Sequence, residues 1–395
     1  MTQINLEPVQ DPQRFLDQPL LSQAEIDEAI AAVIAKVEHN ILKLGETFPS
    51  SSTKNSSYEP TKNVEWTTGF WTGILWLAYE ATHDERFRQL AEKNVQSFKY
   101  RIDHEIDVDH HDLGFLYSPS CVSAYKLTGN PVAKAAALEA ADKLMTRYNP
   151  KGEFIQAWGP KGSAENYRLI VDAMLNIPLL FWASEETGKP EYRDVAAKHY
   201  ATTLKYAIRP DASAFHTFYF DPETGKPLGG KTRQGYADDS SWARGQSWLI
   251  YGIALNYTRL QDHADVQTFK AVTNYFLNRL PEDLVSYWDL IFHDGDWQSK
   301  DSSATAIAVC GIKQMEGFLA EGDELKPLYQ HAASAMMRSL INNYTAEQTT
   351  GITALLNHGV YSWHSGRGVD EGNLWGDYFY LEALIRYKKQ WQMYW

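Results

Sequence analysis

An aspartate interrupts one of the most apolar stretches of the chain. Asp172 lies between the runs LIV and AML, and Arg168 and Asn176 stand four residues before and after it. If this stretch is helical, the three polar side chains share one face. Burying a carboxylate in such a run costs several kcal/mol unless the group is paired or protonated. Asp172 is therefore either half of a structural ion pair with Arg168 or a general acid whose pKa is raised.

A second carboxyl group, Asp112, ends the motif DHHD and precedes LGF. It could be an ordinary helix N-cap, or the partner of Asp172 in acid/base chemistry. A metal site is less expected, because His110 and His111 would point apart on a helix and the sequence has neither an HExxH motif nor a Cys cluster. The sequence also lacks a phosphate-binding loop, a dinucleotide fingerprint and a nucleophile elbow, so we expect chemistry without a metal or cofactor.

Three tryptophans stand where a loop should meet a helix. Trp66, Trp158 and Trp248 occur in the strings NVEW, IQAWG and RGQSW. Most tryptophans pack in the core, but a flat apolar ring also suits the C–H face of a pyranose. Side chains that could bind the hydroxyls and carboxylate of a sugar are grouped with them. These are His216, Gln234, Arg244 and Tyr361. The set predicts a carbohydrate site.

The elements that must position these residues are helices. Apolar residues recur at spacings of three and four, as in residues 29–44 and 132–144. In five places a helix should end in a short polar turn and a second helix begin at once, which indicates helical hairpins. These turns lie near Asp84, Gly129, Gly188, Asp262 and Gly322.

The first helix of each hairpin is apolar and aromatic and the second is charged, so the first should lie inside. Including a last apolar segment, the inner segments begin near Trp66, Asp112, Arg168, Ser241, Asp301 and Trp375. Their spacing is too uneven for a solenoid. The pattern therefore predicts an all-α fold, an (α/α)6 barrel with a cup at one end of its inner helices. The alternating string FHTFYFD, followed by PETGKPLGG, predicts a small β-hairpin insertion.

Composition narrows the class of protein further. The 395 residues include 37 Lys and Arg against 50 Asp and Glu, a net charge of −13, which argues against nucleic acid and anionic membranes as partners. The sequence shows no leader pattern and no apolar run long enough to span a bilayer. Cys121 and Cys310 lie in apolar runs, as buried free thiols do. We expect a cytoplasmic protein with an N-terminal arm, residues 1–20, and a single barrel domain, residues 21–395.

Several long motifs resemble one known family. They are NxxWTxGFWxGILWLxYE from Asn63, DHHDxGFLYS from Asp109, IQAWGPKG from Ile155, HTFYFDPExG from His216, WxRGQxWxIYG from Trp242, KDSSA from Lys300 and WGDYxYLEAL from Trp375. Together they are similar to glycoside hydrolase family 88, the unsaturated glucuronyl hydrolases. The resemblance implies an (α/α)6 barrel that removes the unsaturated uronic acid left by polysaccharide lyases, with Asp112 and Asp172 as the catalytic carboxyl groups.

The resemblance also implies a set of substrate-contacting residues. They are Trp66, His111, Trp158, His216, Gln234, Arg244, Trp248 and Tyr361. Arg168 and Arg233 are further candidate substrate-binding residues, and Arg233 departs from the family pattern because some relatives carry a histidine there. The string SWHSGR resembles the version found in members that accept sulfated glycosaminoglycan fragments. Its Ser362, Ser365 and Arg367 could bind a sulfate, although a flexible polar loop would have the same composition.

The expected substrate is a small molecule, an unsaturated chondroitin or hyaluronan disaccharide. In the expected reaction, Asp172 protonates C4 of the C4=C5 enol ether and water adds at C5, while Asp112 stays ionised. Two alternatives remain open at this point: an unsaturated rhamnogalacturonyl hydrolase acting on pectin fragments, and an (α/α)6 sugar epimerase. No oligomeric state is predicted.

Overall fold

Helices make up most of the chain and alternate between an inner and an outer ring. The computed structural model describes residues 4–395. In chain order the helices are α1 (Gln13–Leu16), α2 (Gln23–Leu44), α3 (Thr68–Thr82), α4 (Glu85–Asp103), α5 (Leu113–Tyr117), α6 (Ser123–Thr128), α7 (Pro131–Met145), α8 (Pro178–Thr187), α9 (Pro190–Tyr206), α10 (Ala243–Leu260), α11 (His263–Leu277), α12 (Ser302–Glu316), α13 (Leu325–Asn343) and α14 (Leu374–Lys388). A π-helical turn, Ser118–Val122, joins α5 to α6.

The inner ring consists of α3, α5 with α6, α8, α10, α12 and α14, and it is closed because α14 packs against both α12 and α3. The outer ring consists of α2, α4, α7, α9, α11 and α13. Burial separates the two rings as the sequence predicted: every residue of α10 from Ala243 to Tyr257 is buried, whereas α2 buries only a stripe at spacings of three and four. The (α/α)6 barrel is confirmed.

The predicted hairpin turns end and begin helices by ordinary capping. Gly129 and Gly188 adopt the left-handed conformation after α6 and α8. Asp84 and Asp262 accept hydrogen bonds from the first turns of α4 and α11. These turns keep each outer helix antiparallel to its inner partner, so the inner helices all begin at the same end of the barrel.

Short antiparallel strands line the rim. They are β1 (Phe48–Pro49), β2 (Pro60–Thr61), β3 (Tyr148–Asn149), β4 (Phe154–Ile155), β5 (Arg168–Ile170), β6 (Thr217–Phe220), β7 (Pro227–Lys231), β8 (Gly359–Ser362) and β9 (Arg367–Glu371). The predicted hairpin is β6 and β7, and β5 adds a third strand through the pair Leu169 and Phe218. The antiparallel pairs β1–β2, β3–β4 and β8–β9 are not predicted by the sequence pattern.

The predicted inner helix beginning at Arg168 is wrong in its first part. Arg168–Ile170 is a strand and Val171–Leu175 is a 3₁₀ turn, and the α-helix begins only at Pro178. Apolar periodicity does not distinguish a buried strand from a buried helix over so few residues. Pro178 also fits best in the first turn of a helix, because it has no N–H to donate.

The N-terminal segment runs outside the barrel. The backbone N–H of Asn5 donates to Pro210, and the Glu7 carboxylate pairs with Arg279 at 2.7 Å. Phe15 in α1 is fully buried. The division into an arm and a single domain stays a prediction. Within residues 4–395, each helix is too short or too polar to cross a bilayer.

Candidate active site

A cavity of about 420 Å³ opens at the end of the barrel where the inner helices begin. Its size suits one or two sugar rings. Because the helices start there, their free N–H groups and the positive ends of their dipoles favour an anionic ligand. The lining residues are Val64, Glu65, Trp66, Asp107, Asp112, Trp158, Ile170, Asp172, His216, Gln234, Trp242, Arg244, Trp248, Tyr361 and Arg367. Ten residues predicted from the sequence thus lie around one cup.

Two carboxyl groups meet in the cup at one imidazole nitrogen. His111 Nε2 lies 3.3 Å from an oxygen of Asp112 and 3.4 Å from Oδ1 of Asp172. The side chains of His111 and Asp112 are 0% and 4% exposed, and that of Asp172 is 17% exposed. Asp172 Oδ1 has no hydrogen-bond partner within residues 4–395. A buried oxygen without a partner is costly, so this atom is suited to carry a proton or to meet a ligand.

Burial controls the protonation of the two carboxyl groups and of the imidazole. It raises the pKa of Asp172 to about 7, against the opposing effects of the Arg244 charge and two backbone N–H groups. It raises the pKa of Asp112 well above its usual range, and the nearby Asp172 charge adds to this effect. Burial also keeps the pKa of His111 well below its usual range, so that the imidazole is neutral. Two carboxylates this close repel each other, so they do not both ionise easily. Asp112 and Asp172 therefore share a proton near neutral pH.

Local structure explains why Asp112 faces the cup. It occupies the N-cap position of α5, yet its side chain makes no capping hydrogen bond. Its backbone N–H donates to His110 Nδ1 at 3.1 Å, and His110 stacks on Trp158 with ring centroids 4.2 Å apart. The N-cap interpretation of Asp112 is therefore wrong for the carboxyl group, which is left free for chemistry.

Arg168 does not pair with Asp172. Its guanidinium bonds the Asn166 side chain at 3.1 Å and the Tyr219 hydroxyl at 3.3 Å. Local structure explains this outcome. Residues 168–170 form a strand and Asp172 lies in the following 3₁₀ turn, so the two side chains are not neighbours on successive turns of one α-helix. The alternative of a structural ion pair with Asp172 is wrong.

Aromatic rings form part of the lining of the cup. Trp66 stacks on Trp375 with ring centroids 5.3 Å apart, and its indole donates to the Tyr361 hydroxyl at 2.8 Å. Phe115 packs against Trp248 with ring centroids 5.3 Å apart. These contacts hold the rings rigidly, so they present fixed apolar faces to a ligand.

The polar part of the lining centres on a buried guanidinium. Arg244 pairs with Asp301 and donates to the backbone carbonyl groups of Val360 and Tyr361. The amide of Gln234 donates to the same Tyr361 carbonyl at 2.8 Å. These bonds attach the β8–β9 hairpin to the barrel and leave the remaining donors of Arg244 near the cavity.

His216 accepts two hydrogen bonds from the backbone. The N–H groups of Arg233 and Gln234 both donate to its Nδ1, at 2.9 and 3.1 Å. Burial and the Arg244 charge lower the pKa of His216 to about 3, so this ring is neutral. Its Nδ1 acts as the acceptor, which leaves Nε2–H as a donor at the cup.

Five predicted site residues lie outside the cavity lining. His111 Nε2 lies within 3.4 Å of both carboxyl groups, and the Arg168 guanidinium contacts Tyr219 of β6. Arg233 is exposed on the loop after β7, and Ser362 and Ser365 lie at the tip of the β8–β9 hairpin, where the Ser365 hydroxyl donates to the Ser362 carbonyl at 3.3 Å. Their contact with substrate stays a prediction.

Three residues that the sequence analysis did not select contribute to the site. Trp242 lines the cup and faces the Arg244 guanidinium at 4.5 Å. Asp301 neutralises Arg244, and Asn176 donates to Asp112 at 3.2 Å. Each had a signal in the sequence, since Trp242 and Asp301 stand inside long motifs and Asn176 follows Asp172 by four residues.

The same cluster has the spacing of a possible metal site. One ligand atom each from His111, Asp112 and Asp172 lies within 4.8 Å of the others. Three such groups could hold a divalent cation, but they also suit proton transfer, for which no ion is needed. The expectation of chemistry without a metal or cofactor stays a prediction.

A buried pair of carboxyl groups in a cup walled by indoles defines a carbohydrate-active enzyme. The chain matches the family described as Glycosyl Hydrolase Family 88 over residues 40–389. It is 57% identical to the unsaturated chondroitin disaccharide hydrolase of Streptococcus pneumoniae over 99% of both chains. The chain therefore belongs to glycosyl hydrolase family 88.

Solved structures agree with this assignment. The unsaturated glucuronyl hydrolase of Streptococcus agalactiae is 55% identical and superimposes with a TM-score of 0.99 over 100% of both chains. A mutant form from the same organism, solved with dGlcA-GalNAc6S, is 52% identical with a TM-score of 0.91 over 100% of this chain and 99% of the other. The enzyme of Bacillus sp. GL1, described as responsible for glycosaminoglycan degradation, is 42% identical with a TM-score of 0.89 over 92% of this chain and 97% of the other.

Proposed function

We propose that this glycoside hydrolase removes the 4,5-unsaturated uronic acid from the non-reducing end of short glycosaminoglycan fragments. Unsaturated chondroitin and hyaluronan disaccharides are the preferred substrates in this proposal. The observation that carries it is the pair Asp112 and Asp172, buried around one neutral imidazole in a cup of disaccharide size. The names of the streptococcal relatives and the sulfated disaccharide bound by one of them support the substrate class.

The substrate's double bond is an enol ether, because C5 also carries the ring oxygen. Proton transfer from Asp172 to C4 breaks the C4=C5 π bond and leaves a cation at C5 that the ring oxygen stabilises. Water adds at C5 and loses a proton to the Asp172 carboxylate, which restores the acid. The resulting hemiketal opens and releases the aglycone. Since water adds to an alkene, the carboxyl separations that distinguish retaining from inverting glycosidases do not apply.

The two carboxyl groups take different roles in this scheme. Asp172 is the donor because its side chain has more surface open to the cup than Asp112. Asp112 stays ionised and stabilises the positive charge that develops at C5. Burial alone would place the shared proton on Asp112, but the Asn176 amide and the Trp158 indole both oppose this effect. Hydrogen bonds to an ionised carboxylate favour that form.

The other residues of the cup bind and orient the sugar. Trp66 and Trp248 offer apolar faces, and His216, Gln234 and Arg244 offer donors for hydroxyls and the uronate. A short saccharide is the proposed partner, because the cavity measures only about 420 Å³. A cytoplasmic location is also proposed, on the support of two buried free cysteines.

A sulfate is the proposed ligand of the β8–β9 hairpin. Arg367 lines the cavity with its guanidinium 4.2 Å from the centre of the Tyr361 ring. It donates to the Ser51 hydroxyl at 2.7 Å and lies 3.5 Å from Glu65, which leaves donors for an anion. Ser362 and Ser365 lie at the same hairpin tip and would add two hydroxyls. A sulfated amino sugar next to the uronate would bring its sulfate to this edge of the cup.

A substrate panel tests the proposal. Unsaturated disaccharides of chondroitin, sulfated chondroitin, hyaluronan and rhamnogalacturonan are offered separately, and loss of the conjugated double bond is followed by absorbance. We expect turnover of the first three and none of the last. Preferential hydrolysis of the pectin fragment would refute the substrate class. Arg367→Ala should raise KM for the sulfated substrate only, whereas Arg88→Ala on the outer helix α4 should leave both KM values unchanged.

A further inference from the structure

One buried amide connects the two segments that carry the carboxyl groups. Asn176 is 1% exposed and follows the 3₁₀ turn that contains Asp172. Its side chain reaches the first turn of α5, where Asp112 is the N-cap residue. The close approach requires Gly114, because a Cβ there would lie 2.2 Å from the Asn176 Cα.

The orientation of this amide is fixed by its partners. The backbone N–H of Phe115 donates to Asn176 Oδ1 at 2.8 Å, and an N–H group can only donate. The NH₂ group must therefore face the other way. There it donates to Asp112 Oδ1 at 3.2 Å and to the Asp172 backbone carbonyl at 3.4 Å.

This arrangement changes the role of Asp112. An aspartate at an N-cap ordinarily accepts the backbone N–H groups of the second or third helical residue. Phe115 is the third residue of α5, and Asn176 accepts its N–H in place of the Asp112 carboxylate. The Asp112 carboxylate is thereby released from helix capping. The same amide then donates to the released carboxylate.

We propose that Asn176 is a positioning residue that caps α5 in place of Asp112 and holds the Asp112 carboxylate, in its ionised form, towards Asp172. The inference rests on the proposed function, because it assigns Asn176 a role through the two catalytic carboxyl groups. In Asn176→Ala, the free Phe115 N–H would draw the Asp112 carboxylate back to its own helix. One of the two donors that favour ionised Asp112 would also be lost.

The variant Asn176→Asp tests the two roles of the amide separately, which are capping of α5 and donation to the Asp112 carboxylate. The introduced carboxyl group can still accept from Phe115, but when ionised it repels Asp112 at hydrogen-bond distance. We expect kcat at neutral pH to fall about 10- to 100-fold, the range that a hydrogen bond to a charged group supplies, with KM nearly unchanged. At lower pH the introduced group becomes protonated and can donate its O–H to Asp112. Part of the lost kcat should then return, which moves the pH optimum to lower values.

Asn256 provides a matched control. This fully buried asparagine on α10 donates to the Met174 carbonyl at 2.9 Å, so it touches the same 3₁₀ turn without reaching a carboxyl group. Asn256→Asp should change stability without moving the pH optimum. An Asn176→Asp enzyme with the wild-type kcat and pH profile would overturn the inference. So would a loss that is uniform across pH, because a merely structural role predicts that result.

The proposed function and this inference can fail separately. If Asp112→Asn keeps wild-type activity, the catalytic role of Asp112 is wrong and the inference is overturned with it. If Asp112→Asn is inactive but both Asn176 variants keep the wild-type kcat and pH optimum, only the inference is overturned. If Asn176→Ala folds poorly, as measured by thermal unfolding, Asn176→Asp decides the question, because it retains the bond to Phe115.

Discussion

The raised pKa of Asp172 gives the most direct test of the mechanism. Burial raises this pKa to about 7 from an ordinary value of 3.8. At pH 7 about half of the molecules therefore hold the proton, compared with roughly one in 1,600 for an unperturbed carboxyl group. The site thus raises the population of the acid roughly 800-fold at neutral pH. Above pH 7, kcat/KM of the wild-type enzyme should fall about tenfold per pH unit as this proton is lost.

Asp172→Asn removes the donor and keeps its shape. A positioned general acid contributes about 10²–10⁴ in rate, so we expect kcat to fall about 1,000-fold at pH 6. Asparagine is neutral, as the protonated aspartic acid is, so KM should change little. The decline above pH 7 should disappear from whatever activity remains, because the group that causes it is gone.

The assay follows the absorbance of the double bond in an unsaturated chondroitin disaccharide between pH 4 and 9. Asp265→Asn is the matched control. Burial raises the pKa of Asp265 to about 6, and this carboxyl group accepts from the Tyr200 hydroxyl at 2.7 Å on the outer ring. The control should keep the wild-type rate and pH profile. If Asp172→Asn stays within about tenfold of wild type, or keeps the same alkaline decline, the reasoning is refuted.

Three further predictions follow from other contacts. Asp112→Asn should lower kcat by at least about 100-fold in the same assay, because it removes the charge that stabilises the cation at C5; unchanged kcat would contradict this role. Arg244→Met should lower the free energy of unfolding by about 3–5 kcal/mol in denaturant titrations, because it leaves the carboxylate of Asp301 buried without its partner. The double variant with Asp301→Asn should recover part of that loss, and no recovery would contradict the pairing. Burial raises the pKa of Asp377 to about 7. Between about pH 4 and 7 the folded state therefore binds one more proton than the unfolded state, and the free energy of unfolding falls as the pH rises through this range. Asp377→Asn should flatten that slope, and an unchanged slope in pH-dependent unfolding would contradict the assignment.

The barrel was predictable because its signals are local and repeated. Capping residues such as Asp84 and Gly188 mark where helices end and begin, and apolar periodicity separates inner from outer helices. The arrangement of many site residues at one end follows from this topology. The β8–β9 hairpin was not predictable in the same way. Its polar tip resembles a loop, and it is held in place by distant donors on Arg244 and Gln234.

The contacts within the site join residues that are far apart in the sequence, and no local spacing pattern predicts them. Asn176 and Asp112 are 64 residues apart, and Arg244 and Asp301 are 57 apart. Asp172 could be selected from the sequence because it interrupts an apolar run, and Asp112 because it ends the DHHD motif. Asn176 and Asp301 also stand in recognisable patterns, but an asparagine or an aspartate near a helix end has an ordinary capping explanation.

The break in the predicted inner helix is what makes Asp172 available. In a continuous α-helix, Arg168 and Asp172 would lie one turn apart and could form a buried ion pair. Such a pair would hold the pKa of Asp172 low, and the group could not act as an acid at neutral pH. The strand over Arg168–Ile170 instead brings the guanidinium to Tyr219 on the neighbouring strand β6. The 3₁₀ turn then brings Asp172 to His111, so the local departure from helical structure separates a cation from the carboxyl group that must keep its proton.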